Sequence, residues 1–318
     1  MGIRNVSILL AASRRETENE EFTTSTGIQD EEFLRYFNDA QVQIQGAISD
    51  VNPVVGQKET NISVVSGQEA YELPSDTFLS TKIDLVEFST SGNANDYYEL
   101  QQGYLPERIS GSGSNNPSFF IRRGKEILLQ PKPQSSASLI RLTYQARVPV
   151  LDLRRATVSA VTLDTGARTI TSLTVDTSLQ IDETELEEEG FITVCDKNGT
   201  QNMRDIPITD VDTATGTVTV EPGFVYQSGE TIAVGNFLLR GNDSTTHSTL
   251  PQVCERFLLG YTNWKILKRD SSNDAAEAGQ EVIQLQRSIV SAFSPPDTTV
   301  DRVAVLDDQF LMPEDFLF

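Results

Sequence analysis

The sequence predicts an α+β protein: a helical bundle of N-terminal and C-terminal helices, a β-hairpin region, and an inserted small all-β domain, either sandwich or barrel. Three observations predict it. Helical periodicity is confined to the two ends of the chain. Between residues 60 and 240 the apolar residues alternate in the manner of strands. Near residue 156 that β-type sequence changes from longer hairpins to short strands closely punctuated by glycine.

Residues 1–27 read as an N-terminal arm. They are polar after the opening apolar stretch, with Glu16, Glu18, Glu20 and Glu21 close together, and such a segment orders only if it docks on something. The first helix is predicted over Gln29 to Ser49, where Phe33, Phe37, Ala40, Ile44, Ala47 and Ile48 form one stripe. Residues 60–150 carry strands in ISVVSGQEAYELP, KIDLVEFS, PSFFIRRGKEILLQPKP and ASLIRLTYQARVP. Within the third, Arg122–Arg123–Gly124–Lys125 separates two short runs and predicts a hairpin, while Ser110–Pro117 reads as a flexible loop tip.

In residues 156–240, TVSAVTLD, RTITSLTV, GFITVCD, GTVTVEPG and ETIAVGNF are short strands split by Thr-Gly, Asn-Gly, Pro-Gly and Ser-Gly turns. The acidic run DETELEEE, Asp182 to Glu189, interrupts them as a solvated segment. A helix resumes at Pro251, whose missing N–H costs nothing at that position, and a further helix follows Asp270–Ser271. An isolated amphipathic helix is marginal in water, so the first helix is expected to pack on the last two. That gives a body of residues 28–155 and 241–294, with 156–240 inserted into it.

The C-terminal residues 295–318 read as an acidic-aromatic docking tail. The segment DTTVDRVAVLDDQFLMPEDFLF keeps Phe310, Leu311, Met312, Phe316, Leu317 and Phe318 among its acids. A free acidic tail normally lacks such groups. Burying each would contribute about 1.5–3 kcal/mol before ordering costs. The expectation is a peptide that docks in a groove of a partner or another subunit, against the alternative that it folds back on its own chain.

Net charge is −21 with a pI near 4.4. Tight binding to a nucleic-acid backbone rests on Lys and Arg, here outnumbered 46 to 25. Local basic groups (Arg122, Arg123 and Lys125; Arg154 and Arg155; Lys265, Lys268 and Arg269) read as solvated faces or neighbour contacts rather than phosphate sites. Cys195 and Cys254 give neither a disulfide framework nor metal spacing, and Cys254 shares a helical face with Phe257, Leu258 and Tyr261. They point to a reducing compartment. No apolar run approaches a membrane span, and the opening MGIRNVSILLAAS is too short and too weakly basic for a secretory signal. The reading is of a soluble chain with no membrane partner.

Signals for catalysis are weak, and no catalytic, cofactor or metal residue is assigned. His247, the sole histidine, lies in a Ser/Thr-rich loop with neither nucleophile nor orienting acid implied by spacing, although Asp243 is near in sequence. Asp196–Lys197–Asn198–Gly199 resembles the start of a calcium loop, but Pro207 occupies its twelfth position, and an Asn-Gly hairpin turn explains it better. Tyr97, Tyr98, Phe119 and Phe120 could stack on sugars or bases, but read as core and cross-strand pairs.

The early helix EEFLRYFNDAQVQIQGAI, the segment YELPSDTF, the hairpin PSFFIRRGKEILLQPKP, the strand LIRLTYQARVP and the helix CERFLLGYTNWKILKRDSS occur in one order. In this the chain resembles the head-to-tail connector, or adaptor, proteins of tailed bacteriophages, particularly short-tailed, podovirus-like ones, over most of residues 28–293. The resemblance implies a non-enzymatic virion protein, assembled in the host cytoplasm and placed at the neck. There it forms a homo-oligomeric ring, usually a dodecamer, between the portal protein and a tail nozzle or hub protein. Genome DNA passes through such a ring without specific binding. The C-terminal segment of relatives commonly reaches into the portal, which would assign that role to Phe310–Phe318. An acidic channel wall would repel phosphates and suit that passage. A carbohydrate-binding or adhesin module, favoured by the β insert, and an envelope-polymer hydrolase, needing acids that converge near 110–117 or 182–189, remain as alternatives.

Overall fold

The computed structural model describes residues 5–17, 29–78, 82–93, 96–104, 116–164, 166–176, 190–226 and 229–294. The docking tail, the DETELEEE run and residues 110–115 of the loop tip lie outside the described residues. Four α-helices and sixteen strands occur among those described, so the mixed α+β class and the small all-β domain expected from the sequence are both present, and of the two forms left open, sandwich or barrel, that domain is a closed barrel. The chain divides into two compact units, Met1–Ala47 with Pro149–Phe318, and Ile48–Val148.

Helix α1 spans Val6–Glu16. Sequence reading placed these residues in an arm that orders on docking; here they form a helix that docks on the chain itself, burying Val6, Leu9, Leu10 and Ser13. Those positions recur at helical spacing, and Asn5 supplies the cap by accepting a hydrogen bond from the Ser7 N–H at 2.9 Å. Helix α2, Asp30–Val51, begins with three acids at the positive end of its dipole. Phe33, Phe37, Ala40, Ile44 and Ile48 of the expected stripe are buried, and Ala47 is half-buried.

The unit 48–148 is a pair of four-stranded sheets sharing one core. One sheet runs β1 (Gln57–Ser63), β8 (Leu139–Gln145), β3 (Ile83–Ser89), β4 (Tyr97–Glu99); the other runs β2 (Ala70–Glu72), β7 (Glu126–Gln130), β6 (Phe119–Arg123), β5 (Gln101–Gly103). Val86, Phe88, Ile140 and Leu142 of the first meet Tyr71, Phe120, Ile127 and Leu129 of the second. The expected hairpin is β6–β7, in register Arg123↔Glu126, and its turn needs Gly124 at φ +60°. Arg141 grips Glu87 directly across β8 and β3 with bonds of 2.6 and 2.9 Å, its guanidinium over the Tyr97 ring.

In the other unit, the short strand β9 (Val150–Leu151) leads into a closed barrel. Its strands are β10 (Ala156–Asp164), β11 (Thr169–Val175), β12 (Phe191–Cys195), β13 (Gln201–Asp212), β14 (Thr217–Val220) and β15 (Phe237–Arg240), closing in the order β10-β11-β14-β13-β12-β15. Alternate residues point inward, and Val158, Leu173, Ile192, Val194, Met203, Ile206, Val218 and Leu238 fill the interior. Closure leaves the barrel strands without the free edges of an open sheet. Strand β16 (Ser244–Thr245) then pairs in parallel with β9. Helices α3 (Glu255–Arg269) and α4 (Ala275–Phe293) complete the unit, with α3 packed on α4 and on α1. Helix α2 is tied to α1 by Arg14, which pairs with Asp30 and lies over the Phe33 ring, and to α3 by Glu32–Arg269 at 2.5 Å. Among the described residues no helix is long and apolar enough to cross a membrane.

Candidate functional site: the junction of helix and barrel

A dense polar constellation lies where the start of α2 meets the entry and exit of the barrel. Asp152 follows β9, Arg155 immediately precedes β10, Arg240 ends β15, and Glu31 stands in the first turn of α2. Arg155 reaches Asp152 at 2.6 Å and Glu31 at 2.7 Å, and Arg240 reaches Glu31 at 2.8 Å. The Arg240 N–H donates to the second oxygen of Asp152 at 2.8 Å.

Asp152 is buried, and an unpaired carboxylate there would cost several kcal/mol. Two guanidiniums and two carboxylates neutralise one another. Burial alone would raise the Glu31 pKa, but Arg155 and then Arg240 outweigh it and hold it below the ordinary value. Burial alone would lower Arg155, and its bonds to Asp152 and Glu31 reverse that and raise it. Groups held charged in this way fix geometry rather than exchange protons.

A second clamp lies about two helical turns further along α2. Asn38 Nδ2 donates to the Leu151 carbonyl at 3.0 Å, and the Leu151 N–H donates to Asn38 Oδ1 at 2.7 Å. Gln41 Nε2 donates to the Pro149 carbonyl at 3.2 Å while its Oε1 accepts from Ser248. The two side-chain amides thus do for the β9 segment what a neighbouring strand would do. A cleft of about 200 Å3 opens beside them, lined among others by Leu34, Asn38, Val150, Leu151 and Asn242.

The residues singled out in the sequence do not converge here. His247 meets Asn5 Nδ2 at 3.3 Å and Thr246 Oγ1 at 2.9 Å, and its ring lies against Gly199. Asp243 accepts instead from Gln201 at 2.9 Å. In the calcium-like stretch, Asp196 Oδ1 accepts from the N–H groups of Asn198 and Thr200, both at 2.8 Å, and turns β12 into β13. Burial lifts the thiol of Cys254 to about 11 and also raises Cys195, so neither is a ready nucleophile.

Phe120 is in the core, Tyr98 tilts on Phe88 with ring centroids 5.8 Å apart, and Tyr97 lies under Arg141. Basic residues find neighbours: Arg123 pairs with Glu126, Arg154 covers Phe237, and Lys265 and Lys268 lie over Trp264. The tail residues Phe310, Leu311, Met312, Phe316, Leu317 and Phe318 lie outside the described residues.

Glu31, Asn38, Asp152, Arg155 and Arg240 were not singled out as a group in the sequence. Their spacing spans the whole inserted barrel, and only the fold brings them together.

Comparison with known proteins bears on the same region. No curated protein matches the chain. A family model described as the SU10 adaptor protein matches residues 4–165. The match takes in α1, α2, the two-sheet unit and β9, and stops just past β10, whereas the resemblance read from the sequence runs over 28–293. It covers half of the chain, and includes Glu31, Asn38, Asp152 and Arg155 of the junction. The chain belongs to the SU10 adaptor protein family.

Proposed function

We propose that the protein is a structural virion component of a tailed phage. In this reading it forms a ring between the capsid portal and the tail and lines the passage for DNA. The observation that carries the reading is the family match over residues 4–165. An adaptor of this kind acts by holding surfaces in place and performs no turnover.

Three features support it. Among the described residues, candidate side chains make structural contacts: His247 at a helix cap, Asp196 in a hairpin turn, Arg123 on Glu126, and Lys265 and Lys268 over Trp264. The ion cage and the amide clamp fix barrel strands to α2, as a part that transmits load between neighbours requires. The net charge of −21 disfavours retention of DNA on the channel wall. In a ring each subunit offers one face to the opposite face of the next. The acidic-aromatic tail, Phe310 to Phe318, is proposed as the portal-docking segment, and the short-tailed type and the neck position belong to the same proposal.

Electron microscopy of the purified protein mixed with portal rings tests it. A coaxial layer added to the portal supports the reading. Portal rings that stay bare at micromolar protein contradict it.

A further inference from the structure

The capping residue of α1, Asn5, touches the chain's sole histidine, His247. Asn5 uses Oδ1 to accept the Ser7 N–H, so its other face, the Nδ2 amide, is the one presented to His247 Nε2 at 3.3 Å. An amide N–H can bond that nitrogen only if Nε2 carries no proton. Nδ1 then carries the proton and donates to Thr246 Oγ1 at 2.9 Å. Thr246 Oγ1 stands 3.9 Å from Cys195 Sγ, the next group behind it. The same segment holds the helix through its backbone: the Val6 N–H donates to the Thr246 carbonyl at 2.9 Å, and Asn5 and His247 form an antiparallel bridge. On its other side the ring rests on Gly199, leaving no slack for retreat: a Cβ there would sit 2.6 Å from His247 Nδ1.

We propose that His247 is a proton-sensitive latch on helix α1: neutral, it holds Asn5 in its capping pose; protonated, it expels the cap and loosens α1. A proton on Nε2 puts two donors face to face. Turning the amide to offer Oδ1 to the imidazolium withdraws that oxygen from Ser7, so one of the two bonds is lost whichever way Asn5 points. The positive end of the α1 dipole also disfavours an adjacent cation, and the first turn of α1 contains no acid to offset it. The acid that opposes the latch is Asp196 of the β12–β13 turn, whose charge favours the imidazolium; burial of the ring outweighs it and lowers the pKa from its ordinary 6.5. A lowered histidine contributes its stability in full above the unfolded value and loses it as pH falls from there through the folded pKa. The latch is therefore closed at neutral pH and opens in acid.

The test uses the full chain. As the sole histidine, His247 gives one imidazole resonance to titrate by NMR, and hydrogen exchange of residues 5–17, corrected for intrinsic rates, reports on α1. The wild type is expected to titrate below 6.5. Its α1 protection is expected to fall roughly tenfold between pH 7.5 and pH 5, the scale of a lost cap. His247→Gln should abolish that pH dependence. Asn5→Asp supplies a carboxylate that can cap α1 and also accept from the imidazolium. It should raise the histidine pKa above its ordinary value and turn the acid-induced loss into a gain. A wild-type titration at or above the ordinary value overturns the proposal. So does an acid loss in α1 that persists in His247→Gln. If that variant fails to fold, Asn5→Asp decides, and an unchanged sign there is equally fatal.

Discussion

Asn38 and Leu151 are joined by two hydrogen bonds, side-chain amide to main chain, at 3.0 and 2.7 Å. The amide completes the outer edge of β9, whose inner edge pairs with β16. Asn38→Ala removes both bonds and leaves a backbone donor and acceptor of a buried residue unpaired. The expected loss is about 2–3 kcal/mol in chemical denaturation. Asn38→Asp keeps the acceptor alone and should fall between the two. A loss below about 0.5 kcal/mol for the alanine variant would show that water replaces the clamp.

Glu31 makes stability depend on acid. Its pKa lies below the ordinary 4.5, so its contribution is complete above that value and disappears as pH falls through the folded pKa. Glu31→Gln removes the carboxylate that both Arg155 and Arg240 reach. It should destabilise at pH 7 by about 1–2 kcal/mol, a figure reduced because the group is half-exposed. Unfolding midpoints between pH 5 and pH 3 should then fall less steeply than in the wild type. Parallel slopes would remove Glu31 from the acid response.

Gly199 has φ +82°, and a Cβ there would come within 2.6 Å of the His247 Cβ and Nδ1. Gly199→Ala therefore combines backbone strain with a clash at the root of a packed side chain. Thermal unfolding should report a loss of about 1–3 kcal/mol. The His247 resonance should move as well, because the ring has to shift.

Legibility in the sequence followed the range of the interactions. The α2 stripe from Phe33 to Ile48 and the β6–β7 turn at Gly124 are local patterns, and both elements form where those patterns lie. The barrel was readable as closely spaced short strands, although its closure between β10 and β15 is a long-range pairing that no local pattern contains. Helix α1 was passed over because its eleven residues look weak beside the polar stretch that follows. The signal was nevertheless there, in Asn5 as a cap and in Val6, Leu9, Leu10 and Ser13 at helical spacing. The junction was not legible at all: Glu31, Asp152 and Arg240 are ordinary surface residue types until folding brings them together. Nor did the sequence show that Asn38 would act as a strand edge, since an asparagine inside a helix usually marks only a tolerated polar position.

Removing residues 307–318 separates docking from folding. The truncated protein is expected to remain folded and soluble, with an unchanged unfolding midpoint, while losing cosedimentation with portal rings. A truncated chain that unfolds would place Phe310 to Phe318 in its own core instead.

The mass of the purified protein in solution, measured alone and then with a portal ring, tests the adaptor reading most directly. A monomer that assembles only on the portal, or a preformed ring that stacks on it, is the predicted result. A monomer whose mass is unchanged by the portal would contradict the account and turn attention to glycan binding by the barrel.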